Sequence, residues 1–239
     1  YEGAWDATVR TDGAMEWKAV AEAEPVFPPS GDWLYLTAFA PAAVPVSGVA
    51  SFVLTGQTDL LYAAELRGNK WEGERFAGNR LKADRPLEFN HLLTQLCFKG
   101  LTDGVAVSIR RITVNGALPC ADLTLATGVP VFSATEEHPA GLSLSLAEPG
   151  TEVTGTAPVE IGTIQVPPLH AGGTYTLTVE TSIGTFSGLT VNYVAGENLL
   201  QAGMSHTVTL TISDHELGIT SVTAQPWTTV TVGGDLEAE

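Results

Sequence analysis

An apolar–polar alternation with a period of two predicts an all-β protein built from β-sandwiches. Tyr175, Leu177 and Val179 alternate with Thr176, Thr178 and Glu180, and His206, Val208, Leu210 and Ile212 alternate with Thr207, Thr209, Thr211 and Ser213. Successive side chains on a strand point to opposite faces, so each run buries one face of a sheet. Turn-forming pairs punctuate the chain at Asp12-Gly13, Asp103-Gly104, Asn115-Gly116, Pro149-Gly150 and Gly172-Gly173. Long helical periodicity is missing. Many short β-branched runs between turn residues read as sandwich strands.

Further strands are expected at 33–39, 48–54, 105–114, 159–166, 189–194 and 228–232. Residues 57–66 read as a short turn of helix. Between Val105 and Val114 the alternation slips at Arg110-Arg111, which predicts a β-bulge. The run from Leu87 to Lys99 reads as one strand that forms a hairpin with 105–114 through Asp103-Gly104, because both turn residues tolerate a positive φ. A seam is expected near 118–131, where Pro119, Gly128 and Pro130 interrupt the patterns. It divides the chain into two sandwich domains, 1–120 and 121–239, each of common domain size.

Composition excludes several classes of partner. The 239 residues carry 27 acidic and 11 basic side chains, a formal net charge of −16. Such a field repels phosphate backbones and anionic membranes. No run approaches the 18 apolar residues of a membrane span. The opening residues, Tyr1 to Trp5, lack the basic region and apolar core of a signal peptide, so the chain reads as cytoplasmic or as a trimmed, secreted form. Cys97 and Cys120 allow one disulfide. Because Cys97 sits in an apolar run, two free thiols are the expectation.

The tempting sites have bland readings beside them. His91, embedded in the 87–99 run, is either a general base or a packed side chain; neither nucleophile nor carboxylate partner is apparent, which favours packing. Glu136-Glu137-His138 and Asp214-His215-Glu216 look like metal ligands, but strand neighbours face opposite ways and converge poorly on one ion. No phosphate-binding glycine loop, calcium loop or nucleophile elbow occurs, so no cofactor, no metal and no enzyme activity are expected. The segment 67–80 collects Arg67, Lys70, Glu72, Glu74, Arg75 and Arg80 among Gly and Asn residues, as an exposed loop would. Its Trp71 and Phe76 are candidate anchors for a protein or sugar ligand. The alternative is that Trp71 folds back over the sandwich end.

Several segments resemble the fimbrillin family in that family's order. They are Trp33 to Pro41, the Asp59-Leu60-Leu61-Tyr62-Ala63 signature, Phe89 to Leu96 with its histidine, Gly172 to Val179, Ala202 to Leu210, and the ending Ile219 to Trp227. The resemblance implies two transthyretin-like β-sandwich domains in tandem on a secreted, lipid-anchored precursor displayed at the cell surface. It further implies assembly into fimbriae by exchange of strands between subunits, the pairing of an open sheet edge with another chain's strand. The family is processed after an arginine, and Arg10 reads as folded into the first sheet rather than as that site. No long donor strand is evident after Trp227, which points to a tip, anchor or stand-alone relative. A fimbrial subunit or accessory adhesin is therefore expected. The alternative is a non-polymerising surface module that binds glycans or host proteins.

Overall fold

The computed structural model describes residues 6–9, 15–17, 30–69, 87–170, 172–192, 200–213, 216–227 and 230–232. Among the described residues the chain is all-β and has no helix. The strands are β1 (Ala7–Val9), β2 (Met15–Trp17), β3 (Leu34–Ala40), β4 (Val49–Val53), β5 (Leu61–Gly68) and β6 (Leu87–His91). Then come β7 (Thr94–Thr102), β8 (Val107–Asn115), β9 (Cys120–Thr124), β10 (Val129–Ser133), β11 (Leu142–Ser145) and β12 (Thr151–Val153). The last are β13 (Val159–Val166), β14 (Thr174–Thr181), β15 (Thr185–Asn192), β16 (Met204–Ile212), β17 (Leu217–Pro226) and β18 (Val230–Val232).

The main sandwich has one sheet in the order β13-β7-β16-β17 and another in the order β11-β8-β14-β15, where β12 also pairs with β8. Alternation explains both layers. On β7, Thr94, Leu96, Phe98, Gly100 and Thr102 are buried, while the residues between them are half-buried on the other side. β16 runs parallel to β7 and sets His206 level with Leu96 and Val208 level with Phe98. Tyr175, Leu177 and Val179 of β14 belong to the same buried core. Each large side chain buried this way contributes about 1.5–3 kcal/mol relative to exposure. Gly100 permits a close approach, since a Cβ there would lie 2.9 Å from Val153 Cγ2. Sideways, β11 lies against β13 and β15 against β17, so the edges of the two layers meet.

The remaining long strands form two smaller sheets, β18-β6-β5-β3 and β10-β9-β4. They touch through Phe39 and Phe52, whose rings meet edge to face at 6.1 Å, and through the Tyr62 hydroxyl, which donates to the Leu125 carbonyl at 2.8 Å. Gly128, at φ +68°, is required beneath Tyr62 because any Cβ there would penetrate the phenol ring. β1 and β2 pair as a separate hairpin.

Several expectations meet their structure here. β14 and β16 fall where the alternation placed them. The bulge is present: Glu180 pairs with Arg111 and Thr181 with Ile109, leaving Arg110 as the extra residue, with both arginines exposed. Three expectations fail. The run 87–99 is two strands, broken at Leu92-Leu93 and assigned to different sheets. Strands β7 and β8 are not a hairpin either; Asp103-Gly104 turns the chain from one layer of the sandwich into the other, with Thr102 Oγ1 accepting from the Gly104 N–H at 3.1 Å. Residues 57–66 hold no helix, because Leu61, Tyr62 and Ala63 are claimed by ladders to both β6 and β3. Long-range pairing overrides the local preference.

A cut between residues 120 and 121 falls at the start of β9. It would separate β4 from β9, and β7 and β8 from the strands they pair with. The layers alternate along the chain instead of following one another in two blocks. One buried core reflects this, running from Leu54 and Leu60 through Ala117 and Ala121 to Ile212.

Candidate functional site

Three segments distant in sequence meet around His91. At the end of β6, His91 pairs with Leu61 of β5, and the Leu92 N–H donates to the Leu60 carbonyl at 2.8 Å. This register brings Asp59, just before β5, onto the imidazole. His91 Nδ1 hydrogen-bonds Asp59 Oδ2, and Asp59 Oδ1 accepts from the Leu60 N–H at 2.8 Å. The indole of Trp227 lies flat on the imidazole, centroids 3.9 Å apart and planes 6° from parallel. Two backbone bonds hold the indole in place: Trp227 N–H donates to the Gly203 carbonyl at 2.8 Å, and Gly203 N–H donates to the Leu93 carbonyl at 2.9 Å.

His91 is 7% exposed. Burial raises the Asp59 carboxyl above its ordinary 3.8, against the opposing pull of the His91 hydrogen bond, the His91 charge and the Leu60 N–H. With a carboxylate as acceptor, His91 carries its proton on Nδ1. The carboxylate partner that sequence reasoning did not find is thus Asp59, supplied by the Asp-Leu-Leu-Tyr-Ala signature. A buried ring with its Nδ1 engaged and one face sealed by indole is a joint between chain segments, not an open reaction centre.

A second buried histidine, which the sequence marks only as a strand residue, lies on β16. His206 is fully buried, and its Nε2 accepts from the Leu200 N–H at 2.7 Å. The proton is therefore on Nδ1, which faces the Gln95 carbonyl at 3.2 Å and Thr94 Oγ1 at 3.3 Å. This side chain ties the turn before β16 to β7. Its one signal in the sequence was its place on the apolar face of the alternation.

The other candidates fare differently. Trp71, Phe76 and Arg10 lie outside the described residues, as do Asp214 and His215. Around Glu136-Glu137-His138 the chain makes a tight turn, with His138 N–H donating to Thr135 Oγ1 at 3.0 Å. Among the described residues no group of three His, Cys, Asp or Glu side chains converges as metal ligands would. Cys97 and Cys120 are free thiols on different sheets, and Cys97 Sγ lies 3.3 Å from Gln95 Oε1 and 3.4 Å from Ser205 Oγ. No described helix is long and apolar enough to cross a membrane.

The joint draws on the segments that carried the family resemblance, and comparison with known proteins agrees. A profile of fimbrillin-like proteins matches residues 3–227, ending on Trp227 itself. The chain belongs to the fimbrillin-like family. Solved structures share its fold. A Bacteroides uniformis protein assigned to cell adhesion superposes with a TM-score of 0.62 at 17% identity, covering 90% of this chain and 80% of its own. One from Bacteroides ovatus gives 0.58 at 16% identity, covering 89% and 76%. A fimbrial protein from Bacteroides vulgatus gives 0.53 at 13% identity, covering 80% and 77%. No curated protein matches the sequence. At these identities the fimbrillin-like structures speak for the fold alone.

Proposed function

We propose that the chain is a structural subunit or accessory tip or anchor protein of cell-surface fimbriae, assembling by strand complementation and acting in cell adhesion. Family membership over residues 3–227 carries this reading. The small sheet lends it support. β18 (Val230–Val232) pairs antiparallel with the edge of β6, Val230 opposite Phe89 and Val232 opposite Leu87. An edge that takes a strand delivered from far along the chain is suited to take one from another chain.

The test is to shear fimbriae from cells that produce the chain and analyse them by mass spectrometry and immunogold labelling. The chain should co-purify with the fibres and stay with them in denaturant that removes loosely bound protein. A chain displayed on the cells but absent from the fibres would overturn the fimbrial reading.

That outcome would leave a non-polymerising surface module for glycans or host proteins. The exposed aromatic side chains Trp33 and Tyr35 favour this second reading, and Trp71 and Phe76 are its further candidates. Loss of ligand capture on Trp71→Ala or Phe76→Ala would support their role as anchors; unchanged capture would remove them.

A further inference from the structure

The outer face of the β13-β7-β16-β17 sheet carries a polar cluster that neither the core nor the joint uses. Leu96 and Phe98 of β7 fill the sandwich core, so Gln95 and Cys97, which alternate with them, face outward. The ladders set Gln95 opposite Gln165 of β13 on one side and opposite Ser205 of β16 on the other. Ser205 Oγ donates to Gln95 Oε1 at 2.7 Å. The Cys97 thiol lies 3.3 Å from the same oxygen and 3.4 Å from Ser205 Oγ. A thiol, a carboxamide and a hydroxyl that donates to the carboxamide oxygen thus meet in one place.

These are the parts of an acyl transfer. The thiol is the nucleophile, Cδ of Gln95 is the electrophile, and the Ser205 hydroxyl stands where negative charge develops on Oε1. Gln95 and Cys97 are next-but-one neighbours on one strand face, so the attack is intramolecular and held in register by the sheet. The surroundings suit the chemistry. Ser205 is 6% exposed, and a donor shielded from water stabilises an oxyanion more strongly than a solvated one. Gln165 is 9% exposed, and its Oε1 has no hydrogen-bond partner among the described residues. A buried acceptor without a partner calls for an explanation. Directly across from Gln95, it is placed to receive an N–H, that of departing ammonia or of an incoming amine. Cys97 is a free thiol and only half-buried, so the reacting atoms stay reachable from outside.

We infer that Cys97 and Gln95 condense to an internal thioester that captures primary amines. Sγ bonds to Cδ, the Cδ–N bond breaks, and the thiol proton leaves on the nitrogen as ammonia. Escape of ammonia into solution offsets the higher free energy of a thioester relative to an amide. An amine of a partner then attacks Cδ and forms an amide with Gln95, and its proton passes to Sγ as the sulfur leaves. The net charge of −16 draws ammonium-bearing partners, such as lysine-rich proteins, toward the chain. The inference deepens the adhesion reading above, as a covalent mode of attachment, and rests on it for its biological sense.

The test is mass spectrometry of the full chain with fragment mapping. The fragment that holds Gln95 and Cys97 should be lighter by one ammonia, and Cys97 should resist iodoacetamide. Dansylcadaverine should then add to Gln95 and return a reactive thiol at Cys97. Cys97→Ser and Gln95→Ala should each abolish this labelling, and Ser205→Ala should slow it by about a hundredfold, while all three variants still unfold cooperatively. A fragment of full mass with a reactive thiol and no cadaverine uptake would overturn the site. Loss of ammonia with the thiol still reactive would overturn it too, since that marks an amide between Gln95 and Lys99, two residues beyond Cys97 on β7. Cells displaying the chain, allowed to settle on amine-bearing beads, separate this inference from the adhesion reading. Wild-type chain that stays on the beads through a detergent wash, when Cys97→Ser chain does not, supports the site. Cells that adhere but whose chain washes off equally in both overturn the site and leave the adhesion reading standing.

Discussion

The main sandwich and the β18-β6-β5-β3 sheet are held together in different ways. In the sandwich, two layers press long apolar faces together, and its core holds Leu96, Phe98, Ile109, Ile112, Ile164, Leu177 and Leu210 with almost no exposure. In the small sheet the separate buried apolar cluster is only Ala63, Leu87 and Phe89, flanked by half-buried neighbours. That sheet depends on particular contacts: the Tyr62 hydroxyl, the Phe39–Phe52 pair and the Asp59–His91–Trp227 joint. The contrast suits a fimbrillin-like protein. A sandwich with a broad core is a stable platform, whereas the small sheet depends on a few contacts.

The largest expected effect breaks the platform. Phe98→Ala removes a ring that is 1% exposed at the centre of the sandwich and should destabilise the fold by about 3–5 kcal/mol in urea unfolding. Phe89→Ala, in the small cluster and 7% exposed, should cost less, about 2–3 kcal/mol, because a site at a loosely packed margin relaxes around the gap. Equal costs would erase the contrast. Next in size, Gly128→Ala combines a positive φ with a clash against Tyr62 and should cost about 1–3 kcal/mol. Removing the ring as well, in Gly128→Ala with Tyr62→Ala, should give a smaller loss than the two single losses summed.

The smallest effect sharpens the account of the joint. The Asp59 carboxyl is raised in the folded state, chiefly by burial. The stability it contributes is therefore fully present below its ordinary pKa of 3.8 and is lost as pH rises through the raised folded value. Urea midpoints of the wild type and Asp59→Asn should then differ more in favour of the wild type at pH 3.5 than at pH 7. A difference that grows toward pH 7 would mean that the His91 interaction outweighs desolvation.

Much of the fold could be read from the chain because it is written locally. The alternation at Tyr175 and at His206 gave strands, and the slip at Arg110-Arg111 gave the bulge. Partnership was not local. Whether Asp103-Gly104 closes a hairpin or turns a corner between layers depends on where β7 and β8 find their cover. The strand at Leu61–Gly68 exists because β3 and β6 flank it. The joint was hidden for the same reason: Asp59, His91 and Trp227 stand 32 and 136 residues apart, and only the pairing of Leu61 with His91 and the return of β17 bring them together. Family resemblance picked out all three segments without showing that they touch.

The most direct measurement is residue-resolved hydrogen exchange in Trp227→Ala. If the joint fastens the C-terminal segment to the β6 edge, amides of β6, from Leu87 to His91, should lose protection, while those of β7, β8 and β14 keep theirs. Unchanged protection in β6, or a uniform loss through the main sandwich, would contradict the account.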